Sequence, residues 1–216
     1  MINKLVVGRF LALPHFNQQP PVNPDAAFPT DFVCVPDRIY NIRESQTHGN
    51  IFTGRHKVSQ VQAGAHALKG HRTFRWLPWL PGKVACMRLQ GPEILTGRMT
   101  GCWLTTFTFN GQRYAGHVGT DSNSAENTQR AKDAWRNAMA DYAITCHQAV
   151  KPTANDQLPP GNMGLAPNEG FELYGAWGQD GSVYSLILGA QPGGNAQRRR
   201  IASVVRTRPN MDIHEF

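Results

Sequence analysis

A cysteine and a histidine, Cys102 and His117, are the residues whose types and spacing could carry out covalent chemistry. The reactive form of a cysteine is the thiolate, and a nearby base helps to generate it at neutral pH. Thr96 comes six positions before the cysteine, in a predicted loop. A hydroxyl or carbonyl group there could accept the second imidazole proton and orient the ring. These three residues are the candidate catalytic set.

A predicted β-hairpin brings the cysteine and the histidine together. Residues 103–109 and 112–118 are rich in β-branched and aromatic side chains, and an Asn-Gly pair at 110–111 separates them. Asn-Gly between two such runs is a strong signal for a type I′ turn. Paired positions then sum to 221, so Cys102 and His117 are diagonal neighbours on one face. The opposite face is apolar and carries Trp103, Phe107, Phe109, Tyr114 and Val118.

Small residues stand next to both members of the pair. Gly101 precedes Cys102 and Gly116 precedes His117, and both would leave room for a substrate. With Trp103, these two glycines are the predicted substrate-binding residues. Upstream, Trp76 and Trp79 could form a recognition surface for a protein substrate, although packed core is the more common role of such a pair.

The remaining segments indicate an α+β fold, with a mostly antiparallel or mixed β-sheet core and flanking helices. Helical spacing of apolar residues predicts a helix over 55–68 and another over 124–150, the second with N-cap candidates at 122–124. Residues 41–54 and 151–170 are predicted loops. Further strands are predicted at 32–35, 83–89, 171–177, 182–188 and 201–207, with a turn at 178–181 joining the last hairpin.

Composition limits the other classes of protein. The chain has 216 residues and a formal net charge of +7, which fits one domain over 1–216, with 1–31 as an extended N-terminal wrap. No run approaches the roughly 18 apolar residues of a membrane-spanning helix, so no membrane partner is expected. The N-terminus has no cleavable secretory signal.

Other potential sites are weaker. His66 and His71 lie five apart with no third ligand evident, so no metal site is predicted. The cysteines form no C-x-x-C pair, which favours reduced thiols; they are Cys34, Cys86, Cys102 and Cys146. The basic run Arg198 to Arg200 could bind an anionic partner. A solvated loop is the favoured interpretation, because no nucleic-acid-binding pattern accompanies the run.

The segment around the cysteine resembles a known enzyme superfamily. Thr96, six residues later Cys102 after a glycine, and His117 fifteen residues further on are similar to the deamidases that include the cytotoxic necrotizing factors and the chemoreceptor glutamine deamidases. The Burkholderia lethal factor branch is the closer resemblance. Its Leu-Ser-Gly-Cys motif has a counterpart in Met-Thr-Gly-Cys at 99–102, and its Trp-Leu-Pro-Trp segment in 76–79. The resemblance covers roughly residues 71–136.

The resemblance implies a deamidase-toxin-like α/β sandwich and a cofactor-independent reaction. Cys102 would be the nucleophile, His117 the base and Thr96 the third member. The substrate would be a protein glutamine, converted to glutamate through a thioester. A bacterial toxin or effector is implied, exported from the bacterial cytoplasm without a signal peptide and acting in the cytosol of a target cell. Nothing in the sequence demands more than a monomer, and a monomer is therefore expected. The replacement of Leu-Ser by Met-Thr could alter the substrate-binding loop and leave the chemistry intact. It therefore bears on the identity of the target protein more than on the reaction.

Two other functions fit the residues. A cysteine protease or acyltransferase could use the same dyad, and only the product would distinguish it. A non-catalytic binding module with a basic C-terminal patch would instead depend on Arg198 to Arg200 and not on Cys102.

Overall fold

Two β-sheets and one α-helix form three stacked layers in the computed structural model. The structure describes residues 2–8, 10–12, 27–37, 39–47, 56–63, 73–154, 158, 164–165, 167–190 and 198–208. The elements in these ranges are a 3-10 helix Ile2–Lys4, β1 Phe10–Ala12, β2 Phe32–Cys34, β3 Ile39–Thr47, β4 His56–Ala63, β5 Thr73–Leu77, β6 Val84–Arg88, β7 Ile94–Met99, β8 Trp103–Phe109, β9 Gln112–Val118, α1 Ala125–Ala140, β10 Thr145–Val150, β11 Gly170–Trp177, β12 Val183–Ala190 and β13 Arg198–Arg206.

The first layer is a closed sheet of eight strands in the order β1-β13-β12-β11-β7-β5-β3-β4. The parallel pair β1 and β4 closes it, and β5 and β7 form a second parallel pair. Alternate side chains point into the closed sheet and form an apolar interior. This cluster includes Leu11, Tyr40, Phe74, Trp76, Leu95, Tyr174, Leu186 and Ile201.

The second layer is a five-stranded sheet in the order β10-β8-β9-β6-β2. Its central hairpin has the predicted pairing, from Phe109 opposite Gln112 to Trp103 opposite Val118. One face packs on the closed sheet, in a core that includes Met87, Leu104, Ala115, Met99, Trp177 and Ile187. The other face packs on α1, through a core that includes Phe32, Trp103, Phe107, Tyr114 and Trp135. Cys102 and His117 belong to the first of these faces.

The predicted fold class is wrong. The structure is mostly β, with two mixed sheets packed as a β-sandwich, and one α-helix in the described part of the chain. The α+β prediction with flanking helices required helices at 55–68 and 124–150. In its described part, the first of these segments is the strand His56–Ala63. The second is a helix that ends at Ala140.

The segment predicted as the first helix contains β4, and part of the loop predicted at 41–54 belongs to β3. The two strands pair antiparallel over eight positions, from Tyr40 opposite Ala63 to Thr47 opposite His56. The helical spacing of Val58 and Val61 was misleading, because pairing with β3 and β1 gives this backbone its hydrogen-bond partners and closes the sheet. The remainder of both segments, and residues 13–26 of the predicted wrap, lie outside the described residues.

The second helix begins as predicted and ends ten residues early. Ser124 is its N-cap and its hydroxyl accepts a hydrogen bond from the Asn127 amide. The chain leaves the helix at Asp141, and Tyr142 has a positive φ of 54°. Residues 145–150 then form β10, which pairs with β8 and supplies hydrogen-bond partners to what would otherwise be a bare edge. No helix in the described ranges has the length and apolar composition that crossing a membrane requires.

Gly97 is required by a close approach inside the closed sheet. A Cβ at this position would lie 1.8 Å from a ring carbon of Tyr174. We predict that Gly97→Ala lowers the free energy of unfolding by about 3 kcal/mol, because the buried ring must shift. Urea unfolding measures the change.

Gly170→Ala is the matched control, because a Cβ there would meet its nearest neighbour, the Ala190 carbonyl oxygen, at an ordinary 3.8 Å. If both variants were equally stable, the packing of Tyr174 on Gly97 would not constrain the fold.

Candidate functional site

The three candidate catalytic residues lie where the two sheets face each other. Cys102 immediately precedes β8 and His117 lies in β9, both on the five-stranded sheet. Thr96 lies in β7 of the closed sheet, and not in a loop as the sequence suggested. All three are buried, with 1%, 0% and 0% of Cys102, His117 and Thr96 exposed. The site therefore lies between the two layers of the sandwich.

A chain of two hydrogen bonds holds the histidine ring. The Thr96 hydroxyl donates to the Leu77 carbonyl oxygen at 2.7 Å and lies 2.7 Å from Nδ1 of His117. A threonine hydroxyl has one proton, which the Leu77 carbonyl takes, so Nδ1 must donate to the hydroxyl. The neutral ring then carries its proton on Nδ1, and Nε2 carries a lone pair. Thr96 thus sets the tautomer that a general base needs.

Nε2 of His117 has no hydrogen-bond partner among the described residues, although it is fully buried. Burial lowers the pKa of His117 to about 3, because charging the ring away from water is unfavourable. In this state the histidine is a neutral base with its lone pair on Nε2. A buried polar atom without a partner is unusual in a folded protein, and a catalytic role is one explanation of it.

The sulfur of Cys102 is hydrogen-bonded to Thr120 and not to the histidine. Its thiol donates to the Thr120 carbonyl oxygen at 3.5 Å, and the Thr120 hydroxyl donates back to the sulfur at 3.6 Å. Burial raises the pKa of the Cys102 thiol, and the hydrogen bond from the Thr120 hydroxyl partly opposes that rise. The resting pair is therefore a protonated thiol beside a neutral imidazole.

Thr120 was missed by the sequence analysis. It follows the end of β9, where the backbone turns and the Thr120 amide donates to the Val118 carbonyl oxygen. The alternation of faces that located Cys102 and His117 stops at the strand end, so no periodic signal identified this residue.

The predicted substrate-binding residues lie in two different places. Gly101 is half-buried beside the site, and a Cβ there would lie 3.5 Å from the Thr120 hydroxyl oxygen. Gly116 and Trp103 lie on the face that packs against α1. The position of a Gly116 Cβ is occupied, 2.4 Å from Oγ1 of Thr105. A role of these residues in substrate binding stays a prediction.

The two upstream tryptophans have separate environments. Trp76 is buried in the interior of the closed sheet. Trp79 is half-buried in the loop after β5, and its indole N–H donates to the Thr120 carbonyl oxygen at 2.9 Å. That carbonyl also accepts the hydrogen bond from Cys102. Trp79 is thus linked to the candidate nucleophile through one shared acceptor.

The basic C-terminal run is largely neutralised within the fold. Arg199 donates two hydrogen bonds to Glu172, at 3.0 and 2.9 Å, and Arg98 lies 3.5 Å from the same carboxylate. Burial alone would raise the pKa of Glu172, but these arginines outweigh it and the pKa is lowered. Arg200 pairs in the same way with Glu169. A binding module based on this run would find two of its charges already paired.

No alternative centre with comparable chemistry is present in the described ranges. They hold no group of three or more metal-ligating side chains, and His66 and His71 lie outside them. All four cysteines are free thiols, and burial raises the pKa of Cys146 to about 11. Clefts of about 820 Å³ along α1 and about 380 Å³ beside the 178–182 turn are not lined by the candidate catalytic residues.

Comparison with known proteins gives a distant structural similarity. No protein-family model matches the chain, and no curated protein matches it. Among solved structures, the C-terminal domain of CNFy from Yersinia pseudotuberculosis aligns over 78% of this chain and 72% of that domain, with 10% identity and a TM-score of 0.31. Similarity at this level carries no argument about function.

The burial of His117 predicts a specific pH dependence of stability. In the unfolded chain the ring takes up a proton near pH 6.5, whereas the folded protein resists protonation down to about pH 3. Between these values the unfolded state binds more protons, so stability falls as the pH falls. The contribution reaches about 1.4 kcal/mol for each pH unit.

His117→Asn should reduce this slope, because its side-chain amide can still donate to Thr96 but does not titrate. Urea unfolding of both proteins from pH 7 to pH 4 measures the difference. Parallel stability curves would show that His117 is not buried as a neutral ring.

Proposed function

We propose that this protein is a cysteine-dependent amidohydrolase that converts glutamine side chains of a protein substrate to glutamate. The observation that supports this most is the orientation of His117. Thr96 binds Nδ1, which leaves the lone pair of Nε2 available on the face of the sheet that also carries Cys102. A base with this tautomer beside a thiol is the arrangement that nucleophilic catalysis by cysteine requires.

The proposed reaction has two halves. His117 accepts the thiol proton of Cys102, and the thiolate attacks the carboxamide carbon of glutamine. The C–N bond then breaks, and the imidazolium gives its proton to the departing ammonia, leaving a thioester. In the second half His117 takes a proton from water, whose oxygen attacks the thioester carbonyl. Collapse breaks the C–S bond, the imidazolium returns its proton to the sulfur of Cys102, and the product leaves as the carboxylic acid, which ionises to glutamate. Neither half requires a metal or a cofactor to balance.

Access to the sulfur must accompany this reaction. With 1% of Cys102 exposed, a carboxamide reaches the sulfur only after the surrounding segments separate. The raised pKa of the thiol and the lowered pKa of the ring belong to this closed state. Entry of water or substrate would remove the desolvation that causes both shifts. Opening would therefore favour proton transfer from Cys102 to His117.

The choice of glutamine in a protein, and of a toxin or effector role, is supported by the residue pattern at 71–136. The Thr and His of that pattern are hydrogen-bonded between the sheets, and its Cys lies on the same face of the sheet as the His. On the same resemblance, we propose that the chain is a bacterial protein that acts in the cytosol of another cell.

The test begins with the reactivity of Cys102. We expect alkylation by iodoacetamide, which proceeds through the open conformation, to have a midpoint below the value of about 8.5 for an ordinary thiol. His117→Ala should slow alkylation of Cys102 at pH 7 by about tenfold or more, and Thr96→Val should slow it less. Peptide mass spectrometry follows each cysteine separately, so Cys34, Cys86 and Cys146 are internal controls.

Thr106→Val is the matched control for Thr96→Val. Thr106 is also a buried threonine between the sheets, and its hydroxyl donates to the Gly181 carbonyl oxygen. It should leave the reactivity of Cys102 unchanged. If the pH profile of Cys102 alkylation were the same in the unmodified protein and in His117→Ala, the Cys102–His117 dyad would be refuted.

The product then identifies the reaction. The protein is incubated with a eukaryotic cell lysate, with Cys102→Ser as the negative control, and peptides are searched for glutamine converted to glutamate in intact chains. Cleaved chains or a transferred group in place of this product would identify a protease or an acyltransferase. If the protein's biological effect were retained in Cys102→Ser and lost when Arg198 to Arg200 are replaced, the protein would be a binding module.

A further inference from the structure

We propose that Trp79 is a latch that keeps the Cys102 site closed, and that release of its hydrogen bond to Thr120 is the step that exposes the thiol. This inference concerns regulation of the proposed catalytic site and rests on that proposed function. It assigns Trp79 a positioning role through Thr120 and not a contact with the reacting atoms.

The latch is built on one carbonyl group. The Thr120 carbonyl oxygen accepts the indole N–H of Trp79 at 2.9 Å and the thiol of Cys102 at 3.5 Å. While it stays in place, the carbonyl gives the thiol proton an acceptor. Holding Thr120 here therefore keeps the Cys102 sulfur hydrogen-bonded inside the closed site, where a reagent does not reach it.

Backbone contacts surround the same point. The Gly82 amide donates to the Gly119 carbonyl oxygen, and the Gly119 amide donates to the Lys83 carbonyl oxygen, each at 2.9 Å. The approach is so close that a Cβ on Gly119 would lie 2.0 Å from the Leu80 carbonyl oxygen. The loop at 78–83 and the segment at 119–120 thus form one tightly packed cover beside the sulfur.

Trp79 is a member of this cover that a protein substrate can reach and that is hydrogen-bonded to Thr120. Its side chain is half-buried, as is that of Lys83, and Pro81 is exposed, whereas Leu80, Gly82, Gly119 and Thr120 are buried. A substrate surface that engages the indole would compete for its N–H and weaken its bond to Thr120. Loss of a neutral hydrogen bond corresponds to a shift of about fivefold in the balance between closed and open forms.

The experiment measures alkylation of Cys102 by iodoacetamide in Trp79→Phe, which keeps an aromatic ring and removes the N–H. We expect the rate to rise about fivefold at every pH, with no change in the midpoint of the pH profile, because opening changes access and not the chemistry of the open thiol. An unchanged rate, or a shifted midpoint, would overturn the latch.

Trp177→Phe is the matched control. It removes an indole-to-carbonyl hydrogen bond of similar length, 3.1 Å to Thr105, away from Thr120. It should leave the Cys102 rate unchanged. Cys86, which is fully buried in the core against α1, reports general loosening of the fold. A parallel rise at Cys86 in Trp79→Phe would also overturn the proposal.

A second pair of variants tests the cover if Trp79→Phe does not fold. Gly119→Ala must separate Gly119 from Leu80 and should speed alkylation of Cys102. Gly170→Ala, whose Cβ meets its nearest neighbour at an ordinary 3.8 Å, is the control and should leave that rate unchanged. Equal rates of Cys102 alkylation in the two variants would show that this cover does not control access to the sulfur.

The outcomes also separate the latch from the catalytic proposal. Faster alkylation in Trp79→Phe without any glutamine conversion would leave the latch standing and remove the deamidase. Glutamine conversion that depends on Cys102 but is unaffected by Trp79→Phe would leave the deamidase standing and remove the latch.

Discussion

The hydroxyl group of Thr96 joins the two sheets at the point where the candidate chemistry lies. It belongs to β7 of the closed sheet, donates to the end of neighbouring β5 and accepts from His117 on the other sheet. Its single proton is used by Leu77, and this forces the histidine proton onto Nδ1. The ring orientation, its tautomer and the lone pair on Nε2 all depend on this one group. The spacing between the layers is thereby linked to the state of the base.

The local part of the site could be predicted from the sequence. Asn110 and Gly111 both adopt positive φ, 46° and 72°, as a type I′ turn requires. A two-residue turn fixes the pairing of both strands, and alternation then fixes the faces. Cys102 and His117 were placed on one face for this reason. Ser124 was recognised as an N-cap on equally local grounds, because its side chain bonds the first turn of its own helix.

The non-local part could not be predicted. Val58 and Val61, which are spaced for a helix, lie in β4, since partners distant in the sequence supply its hydrogen bonds. Thr96 was identified as the third residue, but its place in a strand depends on β5 and β11, which flank it in space. Thr120 gave no signal, because it contacts Cys102 only after the chain has turned out of β9. Tertiary contacts override local propensity in each case.

The closure around Cys102 also affects the chemical durability of the protein. Oxidation of cysteine to sulfenic and higher acids requires exposed thiolate. A sulfur that is 1% exposed, with a raised pKa, offers oxidants almost none. Oxidising surroundings would therefore leave the sulfur of Cys102 reduced for as long as it stays buried.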